Sequence, residues 1–504
     1  MNLPSVINIK SMKKVIFYLL LALNMNQPAF SQQTFERLLS NPKDETIQDI
    51  IEEENGNYLM IGRSINNETN TTSGHILRID SSGNILFEAI GLSSDTSSAF
   101  SNLHYNNGYY YVIGTRKANI ETNENRLWIL KLNLNLEILH TSMFKIPKNR
   151  RFSYINSIVD SDTNFVLTGY VTRSDTSPGG VVDDNHDAFF YKISLGGDSL
   201  TSRFYTSDIP WHFSFDIIES TDKSKYYAFV CHFPDDNFEY DSQRFTLSKN
   251  FDSIALEPIP FWMYDPNSPV YLNQTDILIS GKGQGEYPYH HIIAIQNEAG
   301  EIINTNHFKK EPYREHPPMK NSISKFGDNI YVGGNSNFDY GNPFWSSQDS
   351  WFHLVKVNSD LSMVWEKWFG GDAYYFMYNI LATRDGGCIM VGTRYDDQTQ
   401  NQERDIYIVK VNGDGLIVWE NEISMNDRFS VVYPNPGHQL NIRLAAQHPK
   451  AFLSLFDQYG RLAVQQQLHQ SESTVETRHL PAGVYLYQLT APTGLNESGK
   501  WVKE

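Results

Sequence analysis

The sequence predicts an all-β protein: a seven-bladed β-propeller followed by a small β-sandwich. Three observations indicate this fold. A unit of four short apolar strands recurs seven times between about residues 46 and 423, a glycine ends the second strand in six of these units, and a differently patterned β segment follows residue 430. Short strands at a regular spacing are typical of propellers, in which radial closure leaves only short, protected edges.

The repeat unit is clearest in residues 377–419. Residues 377–386 give strand A and its turn, 387–393 strand B, 405–410 strand C and 415–419 strand D. The equivalent B-strand positions are Gly62, Gly114, Gly169, Val230, Gly281, Gly334 and Gly392, at successive spacings of 52, 55, 61, 51, 53 and 58 residues. The C–D turn repeats as Asp80-x-x-Gly83 and Asn412-x-x-Gly415, where glycine supplies the positive φ of a tight turn. This rhythm resembles loosely related bacterial propeller repeats, which implies the fold and leaves function open.

The sequence allows two ways to close the ring of blades. Residues 34–39 form an extra strand-like segment ahead of the first unit, and residues 416–423 form another after the last C strand. Either segment can supply the outermost strand that completes the ring. Six or eight blades remain alternatives to seven because the fourth unit, with Val230 in place of glycine, is degenerate.

The N-terminus has the features of a secretory signal peptide. Lys13 and Lys14 precede an apolar run at 15–23, and Ala29-Phe30-Ser31 supplies small residues at a cleavage site, so we expect a mature chain from Gln32. This run is shorter than the roughly 20 residues that span a bilayer as a helix, and no transmembrane segment is predicted elsewhere. The predicted organisation is a signal peptide at 1–31, a propeller at 32–424, a linker at 425–430 and a β-sandwich at 431–504.

The last segment carries a series of short motifs. They comprise Tyr433, Pro434, Asn435 and Pro436, then Leu480, Pro481, Gly483 and Tyr485, and finally Gly499, Lys500, Val502 and Lys503. In this order they resemble the C-terminal sorting domain of the type IX secretion system of Bacteroidetes, apart from a long polar insertion at 491–498. The resemblance implies that the secretion machinery is a partner. It also implies a protein that is secreted or attached to the outer cell surface once the signal peptide and the sorting domain are removed.

Composition restricts the classes of partner. The formal net charge is -17, and phosphate binding needs clustered lysine and arginine, so no nucleic acid partner is predicted. The chain has two cysteines, Cys231 and Cys388, each within an apolar strand pattern. We therefore expect two buried free thiols and no disulfide framework.

The long connections of the predicted propeller all emerge on one face, which we call the long-loop face. It comprises the B–C loops, such as 171–187 and 335–350, and the D–A loops, such as 259–267 and 309–319. Loops on a rigid scaffold usually carry binding residues, and these loops are rich in aromatic residues suited to stacking on sugars or to a protein interface. The ligand-binding candidates are Trp211, Trp262, Tyr264, Tyr340, Trp345 and Tyr374. The alternative is that these rings pack together and stiffen the loops.

Metal and catalytic signals are weak. Asp183, Asp184 and Asp187 are the densest set of oxygen ligands, but the calcium-binding helix–loop–helix pattern is absent, so no metal or cofactor is predicted and calcium is only a weak candidate. The sequence contains no Gly-x-Ser-x-Gly, His-Glu-x-x-His or Walker motif. We therefore predict a non-enzymatic binding module for a glycan or protein ligand. Two alternatives are a polysaccharide-processing hydrolase or lyase with dispersed acidic catalytic residues, and a structural or adhesion protein.

Overall fold

The computed structural model divides the chain into two compact units, Met1–Trp419 and Glu420–Glu504. It describes residues 33–69, 71–91, 97–119, 122–145, 150–176, 182–205, 211–233, 241–260, 263–283, 289–398, 403–418, 430–444, 451–457, 461–468, 470, 472–490 and 496–504. Every regular element in these ranges is a β-strand. None of the described residues forms a helix long and apolar enough to cross a membrane.

The first unit consists of seven antiparallel blades, each with its A strand innermost and its D strand outermost. Blade one contains β2 (Asp44–Glu52), β3 (Tyr58–Asn66), β4 (Thr71–Ile79) and β5 (Ile85–Ile90). Blade two contains β6 (Ser98–Asn106), β7 (Tyr109–Asn119), β8 (Thr122–Leu132) and β9 (Ile138–Phe144). Blade three contains β10 (Arg150–Val159), β11 (Asn164–Thr176), β12 (Val182–Ser194) and β13 (Ser199–Tyr205). Blades four and five contain β14 (Trp211–Glu219), β15 (Lys225–Phe233), β16 (Asp241–Ser248) and β17 (Ser253–Ile259); and β18 (Met263–Tyr271), β19 (Ile277–Gly283), β20 (His290–Gln296) and β21 (Ile302–Phe308). Blade six contains β22 (Glu315–His316), β23 (Ile323–Phe326), β24 (Asn329–Ser336), β25 (Trp351–Val357) and β26 (Met363–Gly370), and blade seven contains β27 (Tyr374–Ala382), β28 (Cys388–Tyr395), β29 (Arg404–Val411) and β1 (Phe35–Leu39).

The N-terminal strand closes the ring. Strand β1 pairs antiparallel with β29, from Phe35 opposite Lys410 to Leu39 opposite Ile406. Phe35 is 2% exposed and belongs to a core cluster that joins blades seven and one. Residues 416–418, the described part of the competing segment, form no strand. The structure thus has seven blades, as predicted, and the first of the two closure alternatives is the one it adopts.

The repeated glycine lies opposite a bulge in the inner strand. In blades one, two and seven the register of strand A shifts directly after the residue opposite Gly62, Gly114 and Gly392. A Cβ on Gly114 would lie 2.0 Å from the carbonyl oxygen of Ala99, and one on Gly62 would lie 1.9 Å from that of Thr46. The bulge pushes a backbone carbonyl against strand B, and only glycine leaves room for it.

Two local features differ from the sequence prediction. The B–C loop predicted at 171–187 is shorter, because β11 continues to Thr176 and β12 begins at Val182, with the two strands in continuous register. In blade six the A strand is broken into β22 and β23. Pro317 and Pro318 lie in this break and cannot donate to a strand ladder.

The two cysteines are buried and free, as predicted. Burial in an apolar environment disfavours the thiolate and raises the pKa of the Cys231 thiol to about 12, with the same cause and value for Cys388. Both thiols are therefore packing groups and not nucleophiles at neutral pH.

The second unit is a β-sandwich of two sheets. One contains β30 (Ser430–Tyr433), β31 (Leu440–Leu444) and β34 (Glu472–Val475), and the other has β32 (Ala451–Phe456), β33 (Leu462–Leu468), β35 (Gly483–Thr490) and β36 (Asn496–Lys503) in the order β33-β32-β35-β36. Alternate residues of both sheets, such as Leu440, Ile442, Leu453 and Leu455, form one core around the fully buried Trp501. This period of two is what the sequence shows for strands with one buried face.

Candidate functional site

The seven inner strands share a polar residue that faces the propeller axis. We call this set the axial ring: Asp49, Asn102, Asn156, Asp216, Asn267, Asn321 and Asn379. Hydrogen bonds that involve these residues or their neighbours run from each blade to the next. From blade one to blade four they are Leu103 N to Asp49 Oδ2 (2.8 Å), Asn102 Nδ2 to Ile155 O (3.0 Å) and Asn156 Nδ2 to Phe215 O (3.4 Å). From blade four back to blade one they are Ser268 N to Asp216 Oδ2 (2.9 Å), Ser322 N to Ser268 Oγ (2.8 Å), Asn321 Nδ2 to Ile380 O (3.0 Å) and Asn379 Nδ2 to Asp49 Oδ1 (3.0 Å). The bonds return to the blade in which they start, so the ring holds all seven inner strands in place.

A buried lysine lies inside the axial ring. Lys320 is 6% exposed, and its ammonium donates to the carbonyl oxygen of Ile155 across the axis. Burial lowers the pKa of Lys320 to about 8, while the charges of Asp49 and Asp216 act in the opposite direction. Burial raises the pKa of Asp49 to about 6 and that of Asp216 to about 7, against the hydrogen bonds that each carboxylate accepts from the backbone. Three titratable groups thus share the centre of the fold, close to charge balance at neutral pH.

A cavity of about 320 Å³ opens above this lysine. Its walls come from the first and middle residues of A strands, from the second halves of B strands, and from three residues outside strands, Met319, Lys320 and Phe344. This places it at the centre of the long-loop face. The lining residues are Gln48, Arg63, Ala99, Phe100, Ser101, Thr115, Phe152, Ser153, Ile155, Met319, Lys320, Phe344 and Tyr378. Arg63 and Lys320 are the charged groups among these described residues, and none of them is a carboxylate. We call this cavity the axial pocket.

Arg63 is the most unusual group in the axial pocket. It is half-buried near the end of β3, and its Nε is buried without a hydrogen-bond partner. Across the described ranges its guanidinium has neither a hydrogen bond nor an ion pair. Because an unpaired buried donor costs about 1–3 kcal/mol, this arginine has an unfilled capacity to bind.

The predicted aromatic candidates occupy three kinds of position. Tyr264 and Tyr374 are buried, so neither ring faces the surface, and Tyr374 accepts a hydrogen bond from Asp339 N at 3.2 Å. Tyr340 is half-buried and donates to Glu315 O at 3.1 Å, while its ring packs on Tyr289. Tyr264 in β18 and Tyr374 in β27 are thus buried strand residues and not the exposed stacking platforms that were expected. The ring of Tyr340 packs within its loop.

Trp345 is the exposed member of the predicted set. Its side chain is 41% exposed, and the guanidinium of Arg404 lies 4.5 Å from the ring centroid. Arg404 is held by a bidentate ion pair with Asp44, with both N–O distances 2.6 Å. Trp262 and the side chain of Trp211 lie outside the described residues. None of the four predicted residues whose side chains the structure describes lines the axial pocket.

The acidic stretch is part of a strand and not of a loop. Asp183 and Asp184 lie in β12 opposite Asp175 and Ser174 of β11, and successive residues of a strand point to opposite faces. Asp187 is 1% exposed. The side chains of Asp183 and Asp184 lie outside the described residues, so the weak calcium candidate stays a prediction.

Sequence reasoning missed two glutamate–histidine–glutamate clusters. In blade one His75 lies 3.0 Å from Glu88 and 3.9 Å from Glu45. In blade six His353 lies 3.3 Å from Glu366 and 3.6 Å from Glu315 at matching strand positions. In each cluster the two carboxylates lie at opposite ring nitrogens, which is the arrangement of an ion triad within a blade. The hydrogen bond to the histidine lowers the pKa of Glu88 and that of Glu366.

The second unit brings its end motifs together. Asn435 accepts from Val502 N at 2.9 Å and donates to Lys500 O at 2.7 Å, and Trp501 Nε1 donates to Pro434 O at 3.0 Å. The Tyr-Pro-Asn-Pro segment, which ends at Pro436, is therefore fixed directly to β36. Lys503, opposite Gly483, donates to Thr477 O at 2.7 Å.

The middle motif starts the neighbouring strand. Leu480 belongs to the core, and Tyr485 donates to Pro481 O at 2.9 Å. A Cβ on Gly499 would lie 2.5 Å from the ring of Tyr487, so glycine is required where the two strands meet. A family model described as the secretion system C-terminal sorting domain matches residues 431–504. These residues are a type IX sorting domain. The first and last of the predicted motifs thus contact each other directly. The domain indicates secretion or attachment to the outer cell surface.

Solved structures with distant similarity include other propellers. The β-propeller domain of the Trilobed protease from Pyrococcus furiosus aligns at 10% identity and a TM-score of 0.40, over 77% of this chain and 100% of that chain. The polysaccharide lyase Uly1 aligns at 10% identity and 0.43, over 73% and 90%. Drosophila Plexin A, solved with Semaphorin 1b, aligns at 8% identity and 0.40, over 75% and 86%. No curated protein sequence matches the chain.

Proposed function

We propose that this sorted β-propeller is a non-enzymatic binding module whose ligand site is the axial pocket. The observation that carries the proposal is a cavity of about 320 Å³ at the centre of the long-loop face, lined by hydroxyl, amide, aromatic and cationic side chains. Pockets of this size with a few convergent polar groups are the usual form of small-ligand sites. The axial ring beneath it gives the site a rigid floor.

The arrangement of acidic groups supports binding over hydrolysis. A glycosidase needs two carboxyl groups that flank the scissile bond. Asp49 and Asp216 lie on the axis, but each accepts hydrogen bonds from the backbone of its own and the following blade. Neither lines the axial pocket. In this proposal they stabilise the ring and the charge of Lys320.

The proposal also includes the export of the propeller from the cell. We infer that the signal peptide at 1–31 is removed on passage through the inner membrane and that the sorting domain is removed when the propeller is released or attached at the surface. The propeller is then the part of the chain that meets a ligand outside the cell.

A pocket-filling variant tests the proposed site. Ser153 is an exposed residue at the mouth of the axial pocket, and Ser202 is an exposed residue of the outer strand β13. We expect the purified protein to bind members of a glycan array, S153W to lose this binding, and S202W to keep it. Binding that survives in S153W would place the ligand elsewhere, and the absence of any ligand on the array and in pull-downs would contradict the proposal.

A polysaccharide-processing enzyme is the second candidate. It is favoured by the pKa values of about 6 for Asp49 and about 7 for Asp216, which are near those of a general acid. Glycans that bind on the array are incubated with the protein, and new reducing ends or unsaturated products are measured. Product formation that S153W abolishes would replace the binding proposal with this one.

A further inference from the structure

We propose that the axial pocket selects an acidic saccharide residue, and that Arg63 contacts its carboxylate or sulfate group. This inference rests on the proposed function, because it names the ligand class of the same site. It also assigns a role to an arginine that the fold does not use.

The charge of the pocket is opposite to that of the chain. The sequence has a formal net charge of -17, whereas the charged groups among the pocket residues are Arg63 and Lys320. The carboxylates of Asp49 and Asp216 that balance Lys320 belong to the axial ring and do not line the cavity. A ligand in the pocket therefore meets positive groups first, which favours an anion over a neutral or cationic ligand.

Arg63 has the chemistry that an acidic group requires. A guanidinium presents its N–H donors in a planar fork that matches carboxylate and sulfate oxygens. Arginines elsewhere in the fold already use this fork, as Arg404 does with Asp44. Arg63 has no such partner within the described residues, and its buried Nε is unsatisfied. A bound anion would supply the missing acceptor.

The remaining walls suit a sugar better than a peptide side chain. Ser101, Ser153 and Thr115 offer hydroxyl groups, and the half-buried Phe344 offers a ring. Hydroxyl groups match the hydroxyls of a sugar, and aromatic rings provide the apolar area that a sugar ring can cover. A cavity of about 320 Å³ exceeds what one aspartate or glutamate side chain would fill. We therefore choose an acidic saccharide over an acidic protein segment.

Titration calorimetry on the full chain tests the inference with a matched set of ligands. The probes are tetragalacturonate, its fully methyl-esterified form, a sulfated tetrasaccharide and a hexaglutamate peptide. Esterification removes the charge and keeps the sugar, so this comparison needs no variant. We expect tetragalacturonate or the sulfated tetrasaccharide to bind at least about tenfold more tightly than the ester, with an affinity that falls as salt increases. Which of the two binds better identifies the acidic group.

Variants then assign the contact to Arg63. We expect R63Q to lose about tenfold or more in affinity for the acidic saccharide and R63K to recover part of it, since lysine restores the charge without the fork. The control is R203Q, because Arg203 is exposed on β13 and pairs with Asp252 at 3.4 Å. Thermal unfolding of each variant separates lost binding from lost folding. R203Q should bind as the unaltered protein does.

The outcomes separate the two proposals. Equal affinity for the acid and the ester, with binding abolished by S153W, would overturn the acidic specificity and leave the axial pocket as a binding site. Tighter binding of hexaglutamate than of both acidic saccharides would also overturn this inference, in favour of a protein ligand. Unchanged affinity in a folded R63Q would remove the role of Arg63.

Discussion

At the residue scale, the defining group of the propeller is the buried Lys320. The break in the inner strand of blade six explains its position. Residues 317–321 lie outside the ladder of their own blade, which resumes in β23, and Lys320 N donates to Tyr378 O of blade seven at 2.9 Å. The ammonium is thereby directed across the axis to Ile155 O, where Asp49 and Asp216 stabilise its charge. A buried charge of this kind is tolerated only with such partners.

Removal of this ammonium should destabilise the propeller strongly. We expect K320M to lose about 3–5 kcal/mol of unfolding free energy at pH 7, where Lys320 is mostly charged, because it leaves two buried carboxylates without their compensating charge. Chemical denaturation followed by tryptophan fluorescence measures the loss. K309M is the control, since Lys309 is a mostly exposed residue in a weak pair with Glu311.

The same variant should change the pH dependence of stability. The folded-state pKa values of Asp49 and Asp216, about 6 and about 7, are above their ordinary values, so these carboxyl groups favour folding at low pH and lose that contribution as pH rises through 7. Without Lys320 the ionisation of Asp49 and Asp216 costs more free energy, so we expect the stability defect of K320M to be smaller at pH 5 than at pH 7. An equal defect at both pH values would show that the three groups are not coupled.

At the element scale, the repeated glycine of strand B and the axial-ring residue of strand A are linked by the bulge in strand A. Each ring residue lies 12 to 14 positions before the B-strand glycine or Val230 of its blade. In blades one, two and seven the bulge in strand A falls directly before the ring residue and directly after the residue opposite the glycine. The bulge redirects Asp49, Asn102 and Asn379, and the glycine leaves space for the displaced carbonyl.

Replacing the repeated glycine by alanine adds one methyl group and tests whether the bulge in strand A needs that glycine. We expect G114A to lose about 1–3 kcal/mol or more, because its Cβ would lie 2.0 Å from the backbone carbonyl of Ala99, which cannot move without the bulge. The control is G196A, whose Cβ would lie 3.5 Å from the nearest atom, an ordinary contact. Thermal unfolding compares the two. A G114A protein as stable as G196A would mean that the bulge is adaptable.

The strand pattern and the turn residues made most of the propeller strands predictable, but they did not predict the axial pocket. The repeat predicted the blades because glycine and alternating apolar residues are local signals. The axial pocket is built from residues such as Arg63, Ser153 and Lys320, which are far apart in sequence and meet only when the ring closes. The recurrent Asp or Asn in strand A was the available signal for the axis. The predicted loop aromatics were a poor guide to the surface because Tyr264 and Tyr374 are buried near the starts of strands β18 and β27.

At the scale of the whole molecule, the order of strands explains how the ring is closed. Blade seven takes three strands from the end of the propeller and one, β1, from its beginning. The sequence left this choice open because both candidate segments have strand-like patterns, and pairing across more than 360 residues has no local signal. The packing of β1 shows that this strand closes the ring. Phe35 lies in the core, whereas Leu38 of the same strand is 44% exposed.

Closure should therefore depend on one side chain of β1. We expect F35A to lose about 3–5 kcal/mol, the usual cost of deleting a fully buried phenylalanine, and to become sensitive to limited proteolysis near the N-terminus. L38A is the matched control, from the exposed face of the same strand. Equal stability of F35A and L38A would contradict closure by β1.

We expect export to depend on the sorting domain as a folded unit, and Asn435 offers a way to test one motif without deleting the fold. This residue makes two hydrogen bonds to β36, so N435A should weaken the attachment of the Tyr-Pro-Asn-Pro segment by about 1–3 kcal/mol. Deletion of residues 480–504 removes β35 and β36 and should leave the protein in the periplasm. We expect N435A to export less protein than Q470A, an exposed control in the same domain. Immunoblots of the periplasm and the culture medium measure the distribution. Normal export of the deletion would show that residues 480–504 are not needed for sorting, whereas normal export of N435A alone would show that the bonds of Asn435 are not required.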